Sequence, residues 1–307
     1  MEVNRLRYIQ NSHVAISRLS AELLSDVFLC VIEAGLQGED TSFAVGTFAF
    51  LHVCKRWNEI AAGSPQLWVW WIPGTLKAWH LFKSRSKDAP LTLIWRSHFP
   101  KSAQDILADT ETPRRIHQLD VNGTHEQSEQ ILGALDSRST STTSSIRLQY
   151  ARYKKNDTEY LTRFFSLSFP KLSKLDINTF LPGPTSSILT TSNLTSLKLV
   201  SPYTNNGCYT QSQFLQVLQQ HPNLEQLNLL GDGLPSVENS GGLVPIVLPC
   251  LVDLRLCGKD GAINGFMDLI SMSSPLHNII INFQDNHIPD VAAHKYREKV
   301  THGVLWM

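Results

Sequence analysis

From residue 116 onward the chain repeats one short pattern, apolar-x-x-apolar-x-apolar. It occurs at Ile116, Leu119 and Val121; Leu172, Leu175 and Ile177; Leu194, Leu197 and Leu199; Leu224, Leu227 and Leu229; Leu251, Leu254 and Leu256; and Leu276, Ile279 and Ile281. A shortened copy is Ile146 and Leu148. The last apolar positions lie 22 to 30 residues apart, about 27 on average. The closing x-apolar-x-apolar alternation is that of a strand buried on one face. Between the copies apolar residues return at helical spacing, over Glu126 to Leu135, Thr158 to Leu167, Gln211 to Gln220 and Ile263 to Met272. Neither a strand this short nor a helix of two to three turns is stable alone. Stacked side by side, the strands form one parallel sheet and the helices cover its outer face. The spacing therefore predicts an α/β fold with a curved parallel sheet over 91–307.

The period falls in the roughly 20 to 29 residue range of leucine-rich repeats, and the pattern resembles that family. The resemblance is to an irregular member. Asn178 and Cys257 stand where the family places Asn or Cys after the strand, whereas Val200 and Leu230 do not. An ordinary α/β domain with a parallel sheet is the alternative. In a solenoid the apolar pair of each copy faces the core and its alternates face the concave surface. The partner-facing candidates are Asp120, Gln149, Asp176, Lys198, Asn228, Arg255 and Ile280. A strip of mixed charge with scattered apolar residues suits a protein or peptide and does not suit a polyanion.

Ahead of the repeats, 16–73 reads as a small all-α module. Leu23, Leu24, Val27, Phe28 and Val31 recur at helical spacing after Ser20, a predicted N-cap. Phe50, Val53, Cys54, Trp57, Ile60 and Ala61 mark a second helix, with Gly63 as its expected left-handed end. Ser64 and Pro65 open a third turn carrying Leu67 and Trp68. Glu33 to Thr47 is expected as a surface loop. Residues 1–15 are a lead-in with loose helical spacing, and 74–90 is a linker helix. Trp68, Trp70 and Trp71 are expected to form a hydrophobic joint with the following domain rather than a ligand cage.

Leu19, Glu22-Leu23-Leu24, Val27-Phe28, Val53-Cys54-Lys55-Arg56-Trp57 and Pro65-x-Leu67-Trp68 together resemble an F-box, in the form found in fungal proteins where the terminal Pro-x-Leu-Trp recurs. Ser20 stands where the family has Pro. The resemblance implies that Leu19, Leu23, Leu24, Val27, Phe28, Val53, Cys54, Trp57, Leu67 and Trp68 serve the docking of a Skp-family adaptor and, through it, a cullin. Some of the ten fill the module's own core and others face the adaptor, and the sequence does not divide them. The repeats would then hold a protein substrate of an SCF-type ubiquitin ligase. Two rivals stand beside this expectation: an interaction scaffold without ligase activity, and a cryptic α/β enzyme.

Composition agrees with a receptor that does no bond chemistry. The 27 Lys and Arg balance the 27 Asp and Glu, so nucleic acid and anionic membranes are not expected partners. Five cysteines in 307 residues do not make a disulfide framework, and an intracellular site, cytoplasm or nucleus, is expected. Residues 1–11 lack the apolar core of a secretory signal. The glycosylation patterns at Asn122, Asn156 and Asn193 then carry no meaning. No nucleophile elbow, phosphate loop or metalloprotease motif occurs. Cys250, Cys257, His277 and His287 are too widely spaced for a typical zinc site. No catalytic residue, cofactor or metal is expected. The chain end is expected as a polar helix, Asp290 to Val300, followed by an apolar cap, Val304 to Met307, on the last repeat or by a further repeat that is missing.

Overall fold

The computed structural model describes residues 14–37, 48–71, 76–96, 112–135, 139–150, 159–178, 181–201, 209–231, 233–236, 243–272 and 276–283. The lead-in helix, most of the loop up to Thr47, Asn156, His287 and the expected C-terminal helix and cap lie outside them. The fold is α/β, with two compact units that divide between Ile94 and Trp95.

The first unit holds α1 (Ala21–Gln37), α2 (Lys55–Gly63), β1 (Trp70–Trp71), α3 (Leu76–Ser86) and the first residues of β2 (Leu91–Arg96). Helix α1 begins where the sequence places it. The Leu23 amide donates to Ser20 Oγ at 3.3 Å, satisfying one free donor of the first turn. The backbone and the Ser20 hydroxyl hold the Glu22 carboxyl below its usual range. The helix runs four residues beyond Glu33, so the expected loop opens later than the Gly-rich composition suggests.

Two local expectations are corrected. The second helix is two pieces, a 3-10 turn over Ala49–His52 and α2 from Lys55. Between them Cys54 takes an extended backbone, φ −157° and ψ 167°, as the N-cap of α2. Gly63 is not left-handed; the chain leaves α2 through Ser64 at φ −106°, whose Oγ donates to Ile60 O. Pro65 does open a 3-10 turn, Pro65–Trp68. Among the tryptophans, Trp68 and Trp71 bury within this unit, Trp71 against Trp79 at 4.3 Å between ring centres.

The second unit is built on parallel strands in sequential order: β3 (Ile116–Gly123), β4 (Ser145–Tyr150), β5 (Lys174–Asn178), β6 (Ser196–Ser201), β7 (Gln226–Gly231), β9 (Asp253–Gly258) and β11 (Asn278–Phe283). A short pair, β8 (Ile246–Val247) with β10 (Ile270–Ser271), stands apart. All seven copies of the repeat are strands of the main sheet. Their last apolar residues form one register row: Val121, Leu148, Ile177, Leu199, Leu229, Leu256 and Ile281. Leu175, Ile177, Leu197, Leu199, Leu227, Leu229, Leu254 and Leu256 are buried as the alternation requires.

A second ladder runs just before the strands. The amide of Ser173 donates to Ser144 O, Thr195 to Ser173 O, Glu225 to Thr195 O, Val252 to Glu225 O and His277 to Val252 O, at 2.8–2.9 Å. Each turn thus caps the next with the same backbone groups, which keeps the strands in register although the segments between them vary in length.

Helices α4 (His125–Gly133), α5 (Glu159–Phe165), α6 (Ser187–Thr190), α7 (Gln211–Gln219) and α8 (Asp260–Met267) fall between strands. They bury Ile131 and Leu132, Phe164 and Phe165, Ile188 and Leu189, Phe214 and Leu218, and Ile263 and Phe266. The fourth expected helix is displaced. It ends at Met267 rather than Met272, because Ile270 pairs in parallel with Ile246.

Candidate protein-interaction surfaces

In the first unit, α1 has two apolar faces of opposite fate. Leu24, Phe28 and Ile32 point inward and form a core with Phe50, Ala61, Leu67 and Trp68. Phe28 stacks on Phe50 at 4.4 Å between centroids and meets Trp57 at 5.1 Å. Trp68 donates Nε1–H to Ala61 O at 2.7 Å, packs edge-on against Phe82 at 5.2 Å and carries the Arg85 guanidinium over its ring at 4.3 Å. With its N–H engaged and only 1% of the residue exposed, Trp68 is not open to a partner.

The other face is open. Leu23, Val27 and Val31, four residues apart, are 53%, 39% and 46% exposed. With Leu19, Cys30 and Ala34, and Asp26 beside them, they line a shallow apolar groove of about 510 Å³. A continuous apolar stripe on a single helix is the usual mark of a protein contact rather than scattered surface leucine.

The structure therefore divides the ten candidates of this unit. Leu24, Phe28, Leu67 and Trp68 are the ones that fill the unit's own core. Leu23 and Val27 are exposed, Val53 is exposed, and Leu19, Cys54 and Trp57 are half-buried. Arg56, which carried no role in the sequence pattern, holds the approach to α1. Its Nη2 donates to Leu19 O at 2.6 Å and its Nη1 to Ser17 O. Its position in the Cys54-Lys55-Arg56-Trp57 block was the available signal. What the sequence lacks is the distance from Arg56 to those two carbonyls, 37 and 39 residues earlier.

In the second unit the residues alternating with the core form three rows across the sheet. The middle row is Asp120, Arg147, Asp176, Lys198, Asn228, Arg255 and Ile280. Six of the seven partner-facing candidates are in it, with Arg147 standing between Asp120 and Asp176, and Gln149 is in the row beyond with Asn122, Asn178, Val200, Leu230, Cys257 and Asn282. The sequence placed these residues on one face; the structure adds that their charges interlock. Arg96 on β2 grips Asp120 with both nitrogens, at 3.0 and 3.1 Å. Arg147 reaches Asp120 at 3.4 Å and Asp176 at 3.2 Å, and Lys198 reaches Asp176 at 3.1 Å. Arg255 pairs instead with Asp253 on its own strand, at 3.2 Å.

Among the described residues no group of three or more His, Cys, Asp or Glu side chains could hold a metal ion. No helix there is long and apolar enough to cross a membrane. Cys250 and Cys257 are free thiols. The arrangement offers two surfaces, an apolar helix face and a charged sheet face. No family model matches the chain, and no curated protein or solved structure matches it either.

Proposed function

We propose that the chain is the substrate-recognition subunit of an SCF-type ubiquitin ligase, an F-box module followed by an irregular leucine-rich-repeat solenoid. The observation that carries the proposal is the exposed apolar stripe Leu23, Val27 and Val31 on α1. It stands on a helix whose adjoining face is locked into a core that includes Leu24, Phe28, Leu67 and Trp68. In this reading the stripe takes the Skp-family adaptor, which links the chain to a cullin, and the sheet face of the repeats takes the protein to be modified. The mechanism is positional: holding a substrate near the ubiquitin-carrying enzyme raises its effective concentration. No residue of the chain performs bond chemistry. Ser20, the departure from the family's Pro, is consistent with the reading because its side chain caps α1.

The test is capture of purified Skp adaptor by the full chain. Wild type is expected to retain it, and Leu23→Glu with Val27→Glu is expected to lose it at an unchanged circular dichroism spectrum. Val244→Glu, at a valine 77% exposed elsewhere, is expected to retain it. Failure of folded wild type to bind the adaptor would sink the proposal, and so would binding indifferent to the pair.

A further inference from the structure

The charges of the sheet face are layered. The four cationic side chains in ion pairs there, Arg96, Arg147, Lys198 and Arg255, are 31%, 54%, 33% and 45% exposed. The carboxylates of Asp120, Asp176 and Asp253 are only 17%, 17% and 23% exposed. With exposed Lys174, which pairs in register with Ser145 and Ser196, five cations among the described residues face solvent over three recessed carboxylates. A partner approaching this face meets cationic heads, so the strip read from sequence as unsuited to a polyanion is corrected: its carboxylates are recessed and its cations are not.

Those heads are periodic. Arg96, Arg147, Lys198 and Arg255 stand on β2, β4, β6 and β9, every second strand in the order of the sheet. Neighbouring strands are about 4.8 Å apart, so the cations recur at roughly 10 Å. Asp120 lies between the first two and Asp176 between the next two. Between Lys198 and Arg255 the register places neutral Asn228. The alternation of charge along the row is broken there, and Arg255 takes its carboxylate from Asp253 on its own strand instead. Beside the break, the adjacent row holds Val200, Leu230 and Cys257, an apolar shelf on β6, β7 and β9.

We propose that this face binds an extended, carboxylate-rich segment of a partner protein, crossing the strands with an acidic side chain over Lys198, Asn228 and Arg255 and apolar side chains on Val200 and Leu230. A polyproline-type extended chain has three residues per turn at about 3.1 Å each, so acidic residues at every third position stand on one side about 9 Å apart, close to the period of the cations. Carboxylates match the planar Arg fork, the geometry Arg96 already makes with Asp120. The inference deepens the substrate half of the function proposed above and rests on reading the sheet face as a docking face. It does not depend on the adaptor.

The test is fluorescence anisotropy of the full chain with a labelled peptide of Glu-Pro-Pro repeats, against Gln-Pro-Pro and Lys-Pro-Pro peptides of equal length. The Glu peptide is expected to bind at least about ten times more tightly than either, and to weaken as salt is raised. Asn228→Asp, which completes the charge alternation, and Arg255→Gln, which removes an exposed cation, are each expected to weaken it about three-fold. Their thermal midpoints should stay within about 2 °C of wild type. Leu23→Glu with Val27→Glu should leave peptide binding untouched, so failed adaptor capture and failed peptide binding are separate results. Equal binding of the Glu and Gln peptides would overturn the proposal. So would unchanged affinity in both variants, or binding of a phosphoserine-Pro-Pro peptide in the absence of binding to the Glu peptide.

Discussion

Leu23 and Leu24 are neighbours in sequence and opposites in role. Leu24 is fully buried against Phe28 and Ile32, while more than half of Leu23 faces solvent. Truncating Phe28 to Ala is expected to cost about 3–5 kcal/mol through lost burial and a residual cavity, read as a lowered urea midpoint. Leu23→Ala should stay within about 0.5 kcal/mol of wild type. A comparable fall at Leu23 would mean that the stripe belongs to a core. Any docking experiment that mutates Leu24 or Phe28 therefore measures folding first. His221 is the other residue with a sharp consequence. It is wholly buried in the second unit, and its Nδ1 accepts from the Leu194 amide at 3.4 Å. Burial lowers its pKa below the ordinary 6.5, an effect the Leu189 backbone partly opposes. The unfolded chain then binds the proton more readily than the folded one, so protonation favours unfolding. Stability from this site is complete above pH 6.5 and declines as pH falls below it. Thermal midpoints from pH 7.5 to 5 (roughly the window of an ordinary histidine) should fall more steeply in wild type than in His221→Gln. Parallel slopes would assign the acid sensitivity to other groups.

At the scale of elements, the strands were legible because their signal is local and repeated: alternation places Leu175, Ile177 and their equivalents inward whatever the surroundings. What the periodicity missed is set by distant partners. Met272 reads as helical from its neighbours, yet the chain has left the helix by Ile270 to pair with Ile246, 24 residues earlier. Val53 and Cys54 continue an apolar helical pattern, yet the chain breaks there and restarts at Lys55. The charge ladder was invisible for the same reason: Asp120, Arg147 and Asp176 are 27 and 29 residues apart and meet only through register. Two helices carry the same device, a capping box. Thr124 and Thr210 each accept from the third-position glutamine amide, and that glutamine side chain bonds back. Thr210→Ala should cost about 1 kcal/mol, seen in urea denaturation, and an unchanged midpoint would mean that α7 is held by packing alone. β7 ends on Gly231 at φ 62°, a backbone state only glycine enters cheaply. At Gly233 a Cβ would stand 2.5 Å from the Leu199 carbonyl oxygen. Gly233→Ala is therefore expected to destabilise, because a strand backbone would have to move.

At the scale of the molecule, each unit presents one surface whose chemistry its own fold does not use up. In the first unit the stripe of α1 is apolar and open, and burying it against a partner is worth about 25 cal/mol per Å² of apolar area. In the second, the carboxylates recess and the cations face outward, which favours acidic segments and makes that contact salt-dependent. The two surfaces differ in physics, so one perturbation separates them: raised salt should weaken the sheet face and spare the helix face. The central claim is that α1 docks an adaptor. It is tested most directly by amide hydrogen exchange on the full chain with and without purified Skp adaptor. The expected result is new protection confined to the peptides covering Leu19 to Gln37 and the neighbouring Val53 segment, with β6, β7 and β9 unchanged. Protection on the sheet strands instead, or none at saturating adaptor with the chain folded, would contradict it.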